Sequence, residues 1–233
     1  MTGKRWRVPL FVLLLAVAGC AAKKKLSAEQ YFTEANKDFE QGAFQLSIDE
    51  YRNMLDQYPF SDHTEEAELK IAQAHFMAGN LAEAVAAFTD FQRRHPTSPH
   101  LPYVGYALGL CYVRQMTTAD RDQTASQNAH NYFATVAQQY PDSPFAELAR
   151  EQLAKCRENL AAHELYIADF YASHDNSKAA EMRLLDLVGR YQDTTVASDA
   201  LFQLAQIYRE KDEPDRAVLA DAALAKKFPQ SKY

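Results

Sequence analysis

Glycine, tryptophan and long apolar runs are all scarce in this chain. Seven glycines occur among 233 residues, and Gly3 and Gly19 fall before residue 20. Little material remains for a glycine-rich loop that cradles phosphate, and no phosphate-binding fingerprint occurs. Neither a His-Glu-x-x-His helix nor a Gly-x-Ser-x-Gly elbow is present, so no metalloprotease or hydrolase centre is nominated. Sugar platforms are commonly built from tryptophan, and the sole tryptophan is Trp6. A formal charge of −6 excludes the basic surplus that nucleic-acid binders carry on one face. His95 and His100 share a turn but lack a third ligand nearby, so no metal is expected. Without an acid, base or nucleophile set in a cleft, an enzyme is not expected either.

The one apolar run lies at the start. Lys4, Arg5 and Arg7 precede Val8 to Ala18, and Val17-Ala18-Gly19-Cys20 closes the segment. A basic region, an apolar core and small residues at the end define a secretory signal over residues 1–19. The run is shorter than the roughly 20 residues that span a bilayer, and no later segment matches it. The box ending in Cys20 resembles the bacterial lipoprotein signal, which implies acylation of that cysteine. Several acyl chains anchor stably where one is marginal. By the same resemblance Ala21, in place of an aspartate, favours the outer membrane. Residues 20–26 then form a lipidated tether carrying Lys23, Lys24 and Lys25. The covalent lipid on Cys20 is the only non-protein group expected, and no other cofactor is. Cys111 and Cys156 sit in apolar helical contexts; free thiols are the commoner fate there, and a disulfide stays open.

A repeat organises the remainder. Pro59, Pro96, Pro141 and Pro229, with Gln192 standing in the fourth place, recur at steps of 37, 45, 51 and 37 residues. Five units follow, about 27–60, 61–97, 98–142, 143–193 and 194–233. Within them apolar residues recur every three or four positions, as in Ala67, Ile71 and Ala74 and in Ala84, Val85, Phe88 and Phe91, which is a helical period. Gly42 and Gly79 suit the left-handed position that ends a helix. Ser27 with Gln30 and Asn80 with Glu83 read as capping boxes. Ser98-Pro99 and Ser143-Pro144 place a cap before a proline tolerated at the first helical position.

Aligned on their ends, the units resemble the tetratricopeptide repeat (TPR). Its small residue early in the second helix is Ser47, Ala84, Ala129, Ala180 and Ala217. Its bulky residue four places on is Tyr51, Phe88, Phe133 and Leu184, with Asp221 breaking the pattern in the last unit. The close-approach position of the first helix is Ala35, Ala72, Gly109, Ala168 and Ala205. The fold class this implies is all-α, a TPR α-solenoid of five helix-turn-helix units. One helix pair cannot bury its apolar stripe alone, so pairs stack into a superhelix with a concave wall that serves as a binding surface.

Longer stretches are more particular. Gln57-Tyr58-Pro59-Phe60-Ser61, Phe91 to Pro99, Tyr106 to Leu110, Asp120 to Gln123 and Leu160 to Tyr171 are similar to the BamD (YfiO) outer-membrane assembly lipoproteins. Both interruptions of the period also fit, an insertion around 116–123 and a long helix near 144–173. The insertion is shorter than in some members. The resemblance implies a lipid-anchored scaffold facing the periplasm from the outer membrane, with a BamA-like barrel protein, accessory Bam lipoproteins and unfolded outer-membrane β-barrel substrates as partners, and no nucleic acid. It implies a substrate-peptide groove on the first three units. Repeat positions nominate Phe32, Asn36, Phe39, Leu69, Gln73, Phe76, Tyr103 and Tyr106, where aromatic and polar side chains alternate as an extended peptide requires. Periodicity locates a face but not what covers it, so these aromatics are equally compatible with ordinary core. On the fourth unit, Arg183 matches a family arginine that faces BamA; a pair with a partner carboxylate and a solvated helix charge are both open. Composition also allows an adaptor for cell-envelope, peptidoglycan or cell-division enzymes on the same scaffold.

Overall fold

The computed structural model describes residues 26–233; the signal segment 1–19, Cys20 and the lysines of the tether lie outside them. Among the described residues there are ten helices and no strand. They pair as α1 (Ala28–Glu40) with α2 (Phe44–Gln57), α3 (Thr64–Met77) with α4 (Leu81–Arg94), and α5 (Leu101–Val113) with α6 (Thr124–Gln139). The last two pairs are α7 (Pro144–Ser173) with α8 (Ser177–Arg190), and α9 (Val196–Glu210) with α10 (Pro214–Lys227). Each helix packs on its predecessor and successor, and α7 also packs on α5 and α9. No two even-numbered helices approach to that extent. In a curved stack the layer that closes up is the inner one, so the odd-numbered helices line the inner wall.

Local chemistry sets the helix ends. Ser27 forms the expected capping box, its Oγ accepting the Gln30 amide at 3.2 Å while Gln30 Oε1 accepts the Ser27 amide at 3.0 Å. Gly42 and Gly79 take φ of 78° and 80°. Behind them the Ala43 and Asn80 amides bond back to the Asp38 and His75 carbonyls at 2.8 and 2.9 Å, the six-to-one closure of a Schellman turn. Asp175 and Asp212, both at φ 58°, fill the same turn in the fourth and fifth pairs, since aspartate is among the few residues that tolerate a left-handed backbone. Two expected caps fail. Asn80 makes no side-chain cap, and its amide, which a capping box needs, is already spent on His75. Ser98 does not cap α5, which begins at Leu101 after His100; its Oγ accepts the His100 amide at 3.1 Å, ahead of the helix, and donates to Glu65 of the preceding pair at 2.6 Å. Ser143 does cap α7, accepting the Phe145 amide at 3.2 Å.

The repeat positions form the interior. Ala35, Ala72, Ala168 and Ala205 are fully buried, as are Tyr51, Phe88, Phe133 and Leu184. Burying an aromatic or leucine side chain of this kind contributes about 1.5–3 kcal/mol. Gly109 shows why the first set must be small: a Cβ there would overlap the Phe133 ring. Asp221 is only half-buried and pairs with Arg209 at 2.5 Å, which suits the last pair among the described residues.

The 30-residue α7 joins two halves. Phe145, Ala149, Leu153 and Cys156 pack with α5 and α6, and Leu160, Ala161, Leu165 and Ala168 pack with α8 and α9. Its midpoint pins the 114–123 loop that carries the insertion, with Asn159 Nδ2 donating to the Thr117 carbonyl at 3.3 Å and a His163 ring nitrogen 2.6 Å from the Ala119 carbonyl. Cys111 and Cys156 are free, and burial pushes both thiols up to about 11.

A second periodicity ties successive pairs. A carboxylate near the start of a first helix, or midway along the long α7, reaches the turn or tail that follows its own pair: Glu29 to His63 at 2.6 Å, Glu65 to Ser98 at 2.6 Å, Glu158 to the Thr195 amide at 2.7 Å, and Asp199 to Tyr233 at 2.7 Å. In the first and last pairs a phenylalanine one helical turn later stacks on the same ring, Phe32 on His63 at 4.4 Å and Phe202 on Tyr233 at 3.9 Å.

Gly109→Ala should lower stability by about 1–3 kcal/mol through overpacking. Gly189→Ala, where a Cβ meets nothing within 4 Å, should raise it by about 0.5–1 kcal/mol. Urea unfolding of the two variants checks the pair, and equal shifts would contradict the packing described.

Candidate protein-docking surfaces

The groove residues nominated from the repeat divide into two kinds. Phe32 and Leu69 are buried at 7% and 5% exposure and belong to the interior. The other six are half-buried. Asn36 accepts the Tyr51 hydroxyl at 2.5 Å. Phe39 meets the edge of Phe44 at 5.6 Å and carries Lys70 Nζ 4.7 Å above its ring. Phe76 is capped by the Arg114 guanidinium at 3.8 Å, which also donates to the Phe76 carbonyl at 2.8 Å. Gln73 hydrogen-bonds Tyr103, whose phenol burial pushes above its ordinary range. Tyr103 and Tyr106 both lean on Phe145 of α7, at 5.4 and 5.8 Å. The wall of α1, α3 and α5 is thus one of aromatic edges and carboxamides held by internal bonds. Phe145 was not legible as part of it, because it follows a capping serine and proline, outside the repeat positions.

Arg183 is half-exposed on α8, but its guanidinium already donates to Glu164 of α7 at 3.1 Å. Glu164 is shared with Arg190 at 2.9 Å. The next carboxylate along α8, Glu181, is held likewise by Lys211 at 2.5 Å and Arg216 at 2.6 Å. Its carboxyl lies below the usual range, chiefly through the Lys211 bond. Arg157 grips Asp193 with two parallel bonds, one of them Nε to Oδ2 at 2.7 Å, and this holds the Asp193 carboxyl below its usual range. These bonds make the outer side of the last two pairs a charged, rigid surface. Beside it runs an apolar groove between α8 and α10, walled by Leu185, Val188, Leu219 and Ala223 and floored by Leu201 and Leu204 of α9. Leu185 and Leu219 stand 46% and 69% exposed. The sequence pattern did not reveal this groove, since both leucines fall outside the repeat's defining positions. Among the described residues no cluster of His, Cys, Asp and Glu could hold a metal, and no helix is long and apolar enough to cross a membrane.

Stacked helix pairs with half-exposed aromatic, amide and charged faces define a helical-repeat protein of the kind that binds other chains on its surfaces. Comparison with known proteins makes the family plain. The YfiO family, described as outer membrane lipoprotein, matches residues 24–224, and the chain belongs to it. The outer membrane protein assembly factor BamD of Caulobacter vibrioides is 29% identical over 94% of this chain and 74% of its own length. The factor of the same name from Neisseria gonorrhoeae is 26% identical over 94% and 90%, and that of Xylella fastidiosa 28% over 85% and 75%. Among solved structures, the TPR2AB domain of yeast Sti1 aligns with a TM-score of 0.45 and 13% identity, covering 87% of this chain and 78% of that one.

Replacing Glu181 with Gln should cost about 1–2 kcal/mol near neutral pH, with Lys211 left unmatched and Arg216 left to Glu213 alone. The folded carboxyl titrates below its unfolded value of about 4.3. Its contribution is therefore complete above that value and vanishes as pH falls through the folded pKa. Stability curves of the parent and E181Q should converge in acid; curves that stay parallel would show that the staple contributes nothing.

Proposed function

We propose that this protein is a non-catalytic, lipid-anchored scaffold of the β-barrel assembly machinery, held in the outer membrane by acyl chains on Cys20 and facing the periplasm. The observation that carries the reading is family membership across residues 24–224, with assembly factors aligned over 94% of the chain. The inner wall of the first three pairs engages the targeting strand of unfolded outer-membrane barrel proteins. An extended strand offers alternating apolar and polar side chains and unpaired amides. Phe39, Phe76, Tyr103 and Tyr106 supply aromatic edges for the former, and Asn36 and Gln73 supply carboxamides for the latter. Phe32 and Leu69 act from beneath, fixing the helices that carry those side chains.

The last two pairs dock a BamA-like barrel protein and accessory lipoproteins. Arg183 serves there by sharing: Arg190 also neutralises Glu164, so Arg183 can turn part of its fork to a partner carboxylate without stranding a buried charge.

Crosslinking in cells should trap the chain with a BamA-like protein and with nascent barrel proteins, and depletion should lower the amount of folded barrels. Capture of cell-wall hydrolases alone, with barrel levels unchanged, would instead favour an adaptor for envelope enzymes. Arg183→Gln, which leaves Arg190 on Glu164, should weaken co-purification of the barrel partner by roughly tenfold with unchanged helix content. Undiminished recovery removes Arg183 from that interface. Cys20→Ser should move the protein from the membrane fraction to the soluble or precursor fraction, as judged by fractionation and loss of labelled acyl incorporation; persistent acylation would place the anchor elsewhere.

A further inference from the structure

The inner wall does not end at the third pair. Tyr166, Asp169, Phe170 and Ser173 fall at helical spacing on one face of α7, past the point where its first half is covered by α5 and α6. Tyr166 and Phe170 are 48% and 52% exposed. Beside them a cleft of about 380 Å³ opens between the end of α7 and the end of α9, lined by Asp169, Ser173, Gln203, Gln206 and Glu210 over Ile207. None of the residues lining this cleft is cationic.

Its acids are held less firmly than the two most enclosed acids of the same helix pairs. Glu164 and Glu181, in the same two pairs, are each matched by two cations. Asp169 accepts only the Gln203 amide at 2.7 Å, and Glu210 has no hydrogen bond or ion pair. Both acids also sit where a helix least favours them. Asp169 lies one turn from the end of α7, whose last turn has no basic residue, and Glu210 is the last residue of α9. A carboxylate at a helix C-terminus adds to the negative end of the backbone dipole and costs roughly 0.3–1 kcal/mol. Two such ends converge on one cleft, near two exposed rings; the cations at the end of α9, Arg209 and Lys211, are already paired with Asp221 and Glu181.

We infer that this part of the wall is a second docking site, for an extended segment of a partner protein that carries arginine or lysine flanked by aromatic or aliphatic side chains. The cation enters between Asp169 and Glu210 and gains both carboxylates and both helix termini. Tyr166 and Phe170 take the neighbouring apolar side chains, and Gln203 and Gln206 meet the main chain. Arginine is favoured over lysine, because its planar fork can bond a carboxylate while stacking on a ring. The inference stands apart from the proposed role in barrel assembly, since it rests on this cleft alone.

The test uses the full lipidated chain in phosphatidylcholine nanodiscs, with empty nanodiscs as reference. The probe is a fluorescent peptide of roughly a dozen residues, long enough when extended to cross three helices. It carries two arginines and two phenylalanines in a serine and asparagine background; a twin has glutamate for arginine. The arginine peptide should bind, and bind less as salt rises. Asp169→Lys with Glu210→Lys should weaken it by roughly tenfold or more, and so should Tyr166→Ser with Phe170→Ser. Asp62→Lys with Asp215→Lys alters net charge equally at exposed positions outside the cleft and should leave affinity within about twofold. All these positions are exposed, so melting temperatures should hold. An equal loss in the control pair, comparable binding of the glutamate twin, or no binding to the parent chain would each overturn the site.

Discussion

Everything in this molecule depends on how closely two helices can approach. At Gly109 the backbone of α5 lies so near the Phe133 ring that even a methyl group would collide with it. At the corresponding places the first helices carry Ala35, Ala72, Ala168 and Ala205, all fully buried. The second helices insert Tyr51, Phe88, Phe133 and Leu184. Small against large is what lets each pair close, and a closed pair leaves an apolar stripe only its neighbour can cover. The solenoid follows from that need, and so does the inner wall, because a curved stack must present one layer of helices on its inside.

Polar side chains then fix the stack in a definite curve. Carboxylates reach the turn that ends their own pair, and partly buried acids of the last two pairs are gripped by two cations each. The burial terms are nearly independent of the precise angle between neighbouring pairs, whereas a hydrogen bond of 2.5–3.1 Å is not. Such bonds suit a scaffold whose surfaces must keep their spacing for partners that contact several pairs together. The long α7 carries the same logic across the interruption in the repeat, with one end in each half of the core.

Several local features were legible and others were not, for reasons that can be named. The Ser27 capping box and the Gly42 and Gly79 turns are local, decided by a few neighbouring residues, and they form as read. Asp175 and Asp212 do glycine's work in the last two pairs, a substitution the residue type permits without announcing. Asn80 and Ser98 looked equally suited to capping, but Asn80 has its amide taken by the preceding helix, and Ser98 accepts the His100 amide before α5 begins.

What the amino-acid order determined alone is the helical character of the chain, its division by recurring prolines, and the small and bulky positions that pair within each unit, because helix periodicity and steric size are properties of near neighbours. Only the tertiary structure decided which apolar side chains disappear inside and which face outward. Phe32 and Phe39 lie seven residues apart on one helix face, yet one is stacked beneath His63 and the other stays half-open under Lys70. It likewise decided that Arg183 shares a carboxylate with Arg190, and that Asp169 and Glu210, 41 positions apart in the chain, border one cleft. The physical reason is common to all three: what covers or neutralises a side chain comes from a neighbouring helix pair, and its identity is set only when the pairs have stacked.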